Sequence, residues 1–165
     1  KPNGNVTCLK TRSDQGNSWY NLRNCAFINK FTSDKIVWPL TADKWGFALD
    51  DEGHYLTSGG FFLISDVLPL KFILGFFNSR LMQFYFKLIG VMTAGGAYTL
   101  KKASIEEFPI IISENANEVV NLVDEILVAK SKGQDADSIE EKLDKIFYSL
   151  FELSVEEIQY INDNT

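Results

Sequence analysis

Histidine, cysteine and proline are scarce in this chain. Among its 165 residues, His54 is the single histidine, Cys8 and Cys25 are the cysteines, and there are four prolines. One histidine does not make a zinc site, and a catalytic triad needs partners that the chain lacks. Two cysteines seventeen positions apart are neither a disulfide framework nor a metal-ligand pattern. Structural thiols in a reduced, cytoplasmic setting are expected instead. The phosphate-binding Gly-x-x-x-x-Gly-Lys loop, the dinucleotide Gly-x-Gly-x-x-Gly and the Gly-x-Ser-x-Gly elbow are all missing. Long uncharged apolar runs are missing too. The longest, Phe61 to Met92, is interrupted by Asp66, Pro69, Lys71, Asn78, Arg80 and Lys87. A membrane-spanning helix needs about 20 nearly uncharged residues, so no membrane partner is expected. No basic segment followed by an apolar one marks a signal peptide. The first residue is Lys1 rather than methionine, so the chain is expected to be cut or processed from a larger protein.

What is present is apolar and aromatic. Hydrophobic residues make up 45% of the chain and thirteen are phenylalanine, which fits a folded domain with a real core. Charge is divided unevenly. Residues 1–112 carry a net +3 and residues 113–165 a net −9, giving −6 overall. A mildly basic body followed by an acidic tail makes the whole-chain charge a poor guide to partners.

Periodicity gives an α+β chain: a small mixed sheet packed on a long apolar helix, followed by a C-terminal helical tail. Polar, turn-rich residues 1–18 hold at most a strand near Val6–Lys10. Lys35–Leu40 is a β-branched and aromatic run. Gly46–Leu49 and Tyr55–Leu56 flank the turn Asp-Asp-Glu-Gly and read as a hairpin. The run FFLIS, from Phe61, reads as a buried strand. Asp66 is the expected N-cap of a helix from Pro69 to Ile89, in which Leu70, Leu74, Phe77, Leu81, Phe84 and Leu88 recur at spacings of four and three. Asn78, Ser79 and Arg80 interrupt its apolar surface together. Ser104 with Glu107 reads as a capping box, followed by the extended piece Ile110–Ser113. Helices are expected from Glu114 to about Gly133 and again after the linker Asp135–Ser138. Ser154 with Glu157 caps a last one. The division is a body over residues 1–112 and a tail over 113–165.

One stretch combines parts that suit nucleic acid. From Gly90 to Ile110 the chain reads GVMTAGGAYTLKKASIEEFPI. Gly95 and Gly96 permit close backbone approach to a phosphate, Lys101 and Lys102 supply point charges, and Tyr98 offers a flat face or a hydroxyl. The other reading is a plain connection with solvated lysines, and chemistry alone leaves both open. Lys44 and Arg80 are outlying candidates, and Trp45 reads as core. Asp50, Asp51 and Glu52 read as a solvated turn without calcium-loop spacing. A hydrolase built on Asp50, Asp51 and His54 is set aside because nothing in the sequence orients the histidine.

Several phrases in order resemble a known family. They are SWYNLRNC (Ser18–Cys25), DKIVWPLTADKWGFALDDEGHYLTSGGFFLIS (Asp34–Ser65), LKFILGFFNSRLMQFYFKLIG (Leu70–Gly90), GGAYTLKKASIEEFPI (Gly95–Ile110) and EEKLDKIFYSLFELSVEEI (Glu140–Ile158). Together the chain resembles the TaqI-like C-terminal specificity domain, the target recognition domain of type IIG restriction-modification enzymes and related adenine methyltransferases. The resemblance implies a reader of duplex DNA that presents a loop or strand edge to the major groove. It implies an upstream methyltransferase domain, on the same polypeptide or a partner subunit, that uses S-adenosylmethionine. No Asn-Pro-Pro-Tyr motif for a flipped base and no nuclease site occur in this chain, so no cofactor and no catalysis are expected in it. By position, the resemblance puts DNA contact on Thr93, Gly95, Gly96, Tyr98, Thr99, Lys101 and Lys102, with Lys44 and Arg80 beyond them. Asn78, Ser79 and Arg80 match its Asn-Ser-Lys/Arg-Leu signature, and Trp19, Tyr20 and Trp38 match aromatics that look structural. The competing reading is a protein-interaction domain that works through the acidic tail.

Overall fold

A buried lysine sets the first sheet. The computed structural model describes residues 11, 16–20, 27–111 and 116–165. The strand expected near Val6–Lys10, both cysteines and part of the Ile110–Ser113 piece lie outside them. After a short 3-10 helix (Ile28–Thr32), strand β1 (Lys35–Pro39) begins on Lys35, whose side chain is fully buried. Its ammonium meets the carboxylate of Asp50 at 2.6 Å and donates to the Phe31 carbonyl at 2.6 Å. Lys35 and Asp50 are register partners where β1 pairs antiparallel with β3 (Ala48–Asp50). The ion pair therefore seals one end of the ladder.

The expected hairpin does not form. Ala48–Asp50 pairs with β1, and so does β4 (Gly60–Leu63), which lies on the other side of β1. Asp50 accounts for the difference. Its carboxylate accepts the backbone N–H groups of Glu52, Gly53 and His54, and Gly53 turns at φ +79°. That knot ends β3 and sends the chain round to the far edge of β1. The run expected as a buried strand is consequently a half-buried edge strand.

A second small sheet joins distant segments in the order β2 (Thr41–Ala42), β6 (Tyr98–Thr99), β5 (Val91–Met92). All neighbours in both sheets are antiparallel. The α+β class holds, with two antiparallel sheets in place of one mixed sheet.

The long apolar helix is two helices. Helix α1 (Leu70–Asn78) and helix α2 (Arg80–Ile89) meet at Ser79, whose backbone is extended at φ −64°, ψ 151°. The Ser79 hydroxyl donates to the Phe76 carbonyl at 2.7 Å and accepts from the Met82 N–H, so one side chain ends α1 and caps α2. Asp66 does not cap α1. Pro69 stands at that position, and the turn before it is made by the Ser65 hydroxyl, which accepts from Val67 and Leu68. Ser104 is inside the short helix α3 (Lys102–Ile105) rather than at its cap.

The tail forms α4 (Ala116–Ser131), α5 (Asp137–Leu150) and α6 (Val155–Asn164), the last with the expected Ser154–Glu157 capping box. Gly133, at φ +67°, turns the chain after α4. Helix α4 packs on α1, and α5 and α6 pack on α2. At Gly75 on α1 a Cβ would come within 2.8 Å of the Val123 side chain on α4. One apolar cluster runs from Ile36 and Trp38 through Phe72, Phe76, Phe77 and Phe86 to Val119, Val123, Leu143 and Phe147. Each such side chain contributes about 1.5–3 kcal/mol of burial free energy before entropy.

Lys35→Met leaves the Asp50 carboxylate buried without its cation. We expect a loss of about 3–5 kcal/mol in denaturant-unfolding stability. A loss on the order of 1 kcal/mol or less would show that the pair does not seal the sheet.

Candidate nucleic-acid interface

The turn between β5 and β6 is built largely by its own first residue. Thr93 N–H donates to the Ala97 carbonyl at 2.8 Å, the Gly96 N–H donates to the Thr93 carbonyl at 2.9 Å, and the Ala97 N–H donates to the Thr93 hydroxyl at 3.0 Å. Gly96 turns at φ +82°, a conformation that suits glycine. Thr93, Ala94, Gly95 and Gly96 are all exposed. The loop is thus a tight, projecting hairpin end with defined shape.

Beyond it, β6 carries the chain back into the molecule. Tyr98 does not face outward, which corrects its assignment as a base- or sugar-facing residue. Its ring is buried against Trp45 and Phe86, and its hydroxyl accepts from the Gln83 amide at 2.8 Å. Thr99 is half-buried and pairs with both Thr41 and Val91. Leu100 N–H then donates to the Leu40 carbonyl, and Leu40 N–H donates to the Gly59 carbonyl. The chain re-emerges at Lys101 and Lys102, both exposed. Lys102 reaches Glu106 at 3.1 Å, a solvent-screened pair worth little. Among the described residues, Lys101 has no ion-pair partner. Lys44 is exposed two residues past β2, which flanks β6 in the sheet. Trp45, beside it, is half-buried and packs against the core, its indole N–H donating to the Phe77 carbonyl at 2.8 Å.

Arg80 belongs to a different site. Its backbone N–H donates to the Asp144 carboxylate at 2.9 Å, and its guanidinium lies 3.5 Å from the same group and 3.4 Å from the Asn162 side-chain oxygen. Asn78 brackets Phe47, accepting from its N–H and donating to its carbonyl, and also donates to the Leu74 carbonyl. The Asn-Ser-Arg signature is therefore a packing joint.

Of the three aromatics expected to be structural, Trp38 is buried and donates to the Leu100 carbonyl at 3.0 Å, holding the strand that leads to Lys101. Trp19 and Tyr20 are exposed and meet edge to face.

His54 is oriented after all. Its Nδ1 lies 3.0 Å from Asp50 Oδ1, and its Nε2 lies 3.5 Å from Glu52. The carboxylate behind it is already committed to Lys35 and the turn. Burial would raise the pKa of Asp50. Hydrogen bonds from Lys35, His54 and the Glu52 amide, together with the Lys35 charge, outweigh that and hold it well below the usual carboxylate range. The group serves as a structural latch.

A family model described as the TaqI-like C-terminal specificity domain matches residues 5–110. The chain belongs to that family. No curated protein matches the sequence. The matched residues of the specificity domain include both sheets, α1, α2, α3 and the Thr93–Lys102 segment, and stop before α4. The C-terminal phrase from Glu140 to Ile158 lies outside the match. Membership supports a DNA-recognition role in restriction-modification, and the family is typically non-catalytic. Among the described residues of the specificity domain, no helix is long and apolar enough to cross a membrane.

Sequence reasoning missed Lys35 and Asp144, because both derive their roles from partners fifteen and 64 positions away. Burial pushes the Asp144 carboxyl up to about 6 from 3.8. The Arg80 hydrogen bond and charge oppose the rise, and Glu140 and Glu141 add to it. The folded state therefore binds this proton more tightly than the unfolded chain. The stabilisation is present below about pH 4 and is lost as pH rises through about 6. Relative to Asp144→Asn, the wild type should gain about 2–3 kcal/mol between pH 7 and pH 4. Denaturant unfolding of both across that range measures it. A flat difference would mean that Asp144 titrates normally.

Proposed function

We propose that this chain is the DNA-reading part of a restriction-modification enzyme, in which a separate domain methylates or cuts. Its duplex-facing surface is the Thr93–Ala97 hairpin end together with Lys101, Lys102 and Lys44. The observation that carries this reading is the pairing of a family match over residues 5–110 with a projecting turn that exits into two exposed lysines. Main-chain N–H groups in such a turn and lysine ammonium groups contact phosphates and fix register, while side chains at the tip reach base edges.

Catalysis belongs to the parent's other domain. That domain is expected to hold S-adenosylmethionine and to methylate an adenine amine, as in type IIG enzymes, in the cytoplasm. The tail helices α4 to α6 bear the excess acid, which phosphates repel, so they brace the reader away from the duplex. A body of net +3 grips weakly by itself, and the catalytic domain supplies further contacts.

Fluorescence anisotropy with a labelled duplex at two salt concentrations tests the assignment. Wild-type binding should weaken as salt rises. Lys101→Ala/Lys102→Ala should lower both the affinity and the slope of log K against log salt, by about 0.9 for each phosphate no longer neutralised. Equal slopes for the two proteins would remove the lysine pair from the interface.

A further inference from the structure

Most glycines in the described residues have an internal reason. Gly16, Gly53, Gly96 and Gly133 adopt positive φ. A side chain on Gly75 would strike Val123, on Gly90 would strike Phe86, and on Gly60 would press on Leu56 at 3.3 Å. Three have none. Gly46 and Gly59 have no atom within 4 Å of where a Cβ would sit, Gly95 has only the Thr93 hydroxyl at 3.9 Å, and none has positive φ. Glycine at such a position costs conformational entropy with no return from the fold. One use of glycine, where neither the dihedrals nor the packing require it, is close approach of the main chain to a ligand.

Gly95 already lies in the hairpin end. Gly59 connects to the same surface through the backbone: its carbonyl accepts from Leu40 at 2.7 Å, and the Leu40 carbonyl accepts from Leu100 at 2.8 Å, next to Lys101. The turn that carries it, Thr57–Gly60, is closed by the Gly60 N–H donating to the Thr57 carbonyl at 3.1 Å. Thr57, Ser58 and Gly59 are exposed. Gly59 and Gly46 both line an open groove of about 700 Å³ walled by Trp38, Phe47 and Tyr55. Among the described residues, no acidic side chain lines that groove.

Resting on the DNA-reading assignment, we propose that the Thr57–Gly60 turn is a second DNA contact. The sugar–phosphate backbone passes against the main chain of Gly59, while Lys101 and Lys102 hold neighbouring phosphates. The missing side chain is the clearance that lets the strand come that close.

The test is anisotropy with a fluorescein-labelled mixed-sequence duplex at about 50 mM salt, where backbone contacts dominate. Wild type is compared with Gly59→Ala, Gly59→Leu and Ser58→Glu, and each is melted by circular dichroism. Gly59→Leu and Ser58→Glu should keep the wild-type melting temperature and bind about tenfold more weakly, with Gly59→Ala between. If Gly59→Leu fails to fold, Ser58→Glu and Gly59→Ala decide. Wild-type affinity in folded variants overturns this contact and leaves the reader assignment standing. Absence of salt-dependent binding by wild type overturns both.

Discussion

Three consecutive residues at one helix break hold the parts of this molecule in relation to each other. Asn78 grips the main chain of Phe47 from both sides, which fixes the segment that carries Trp45 and enters β3. Ser79 ends one helix and begins the next. Arg80 passes its backbone N–H to Asp144 on α5. Each hydrogen bond is worth only about 1 kcal/mol net, yet leaving a buried partner unmatched costs about 1–3 kcal/mol. The joint persists because any one missing member strands a polar group on another element. The segment that enters β3 and the tail are positioned through the same few atoms, although they never share an element.

The two buried carboxylates of the fold show opposite outcomes of one contest. Asp50 is surrounded by donors: a lysine ammonium, an imidazole nitrogen and three backbone N–H groups. Solvation by the protein replaces solvation by water, and the charge is well accommodated. Asp144 has one backbone donor and a guanidinium at 3.5 Å, with Glu140 and Glu141 nearby on its own helix. There, burial wins. Donor count and the sign of the neighbours favour the charged form at Asp50 and oppose it at Asp144.

Helices α4, α5 and α6 were legible because their apolar spacing and glycine or serine boundaries depend on local residues. The α1–α2 break was not, since Leu74, Phe77, Leu81 and Phe84 keep helical spacing straight through it. Only the chemistry of Asn-Ser-Arg hinted at an interruption. The hairpin failed for the opposite reason: Asp50, Glu52 and Gly53 do form a turn, but strand partners are chosen by Lys35, far back in the chain. Tyr98 was misread because the contact segment Thr93–Lys102 was treated as one loop, although it runs through β6, where the Tyr98 side chain turns inward. The exposed lysines were legible as charges. Their neighbour at Gly59 was not, because two backbone hydrogen bonds across 19 and 60 positions bring it there.

The hairpin end has a division of labour within five residues. Its shape is carried by the Thr93 hydroxyl and main chain, by the dihedral of Gly96 and by the bonds to Ala97. Ala94 and Gly95 take no part in that stitching and stand exposed at the tip. Those two positions can accept other side chains without disturbing the frame that presents them. In the proposed DNA-reading role, relettering the tip would change sequence preference while the scaffold and its geometry stay the same.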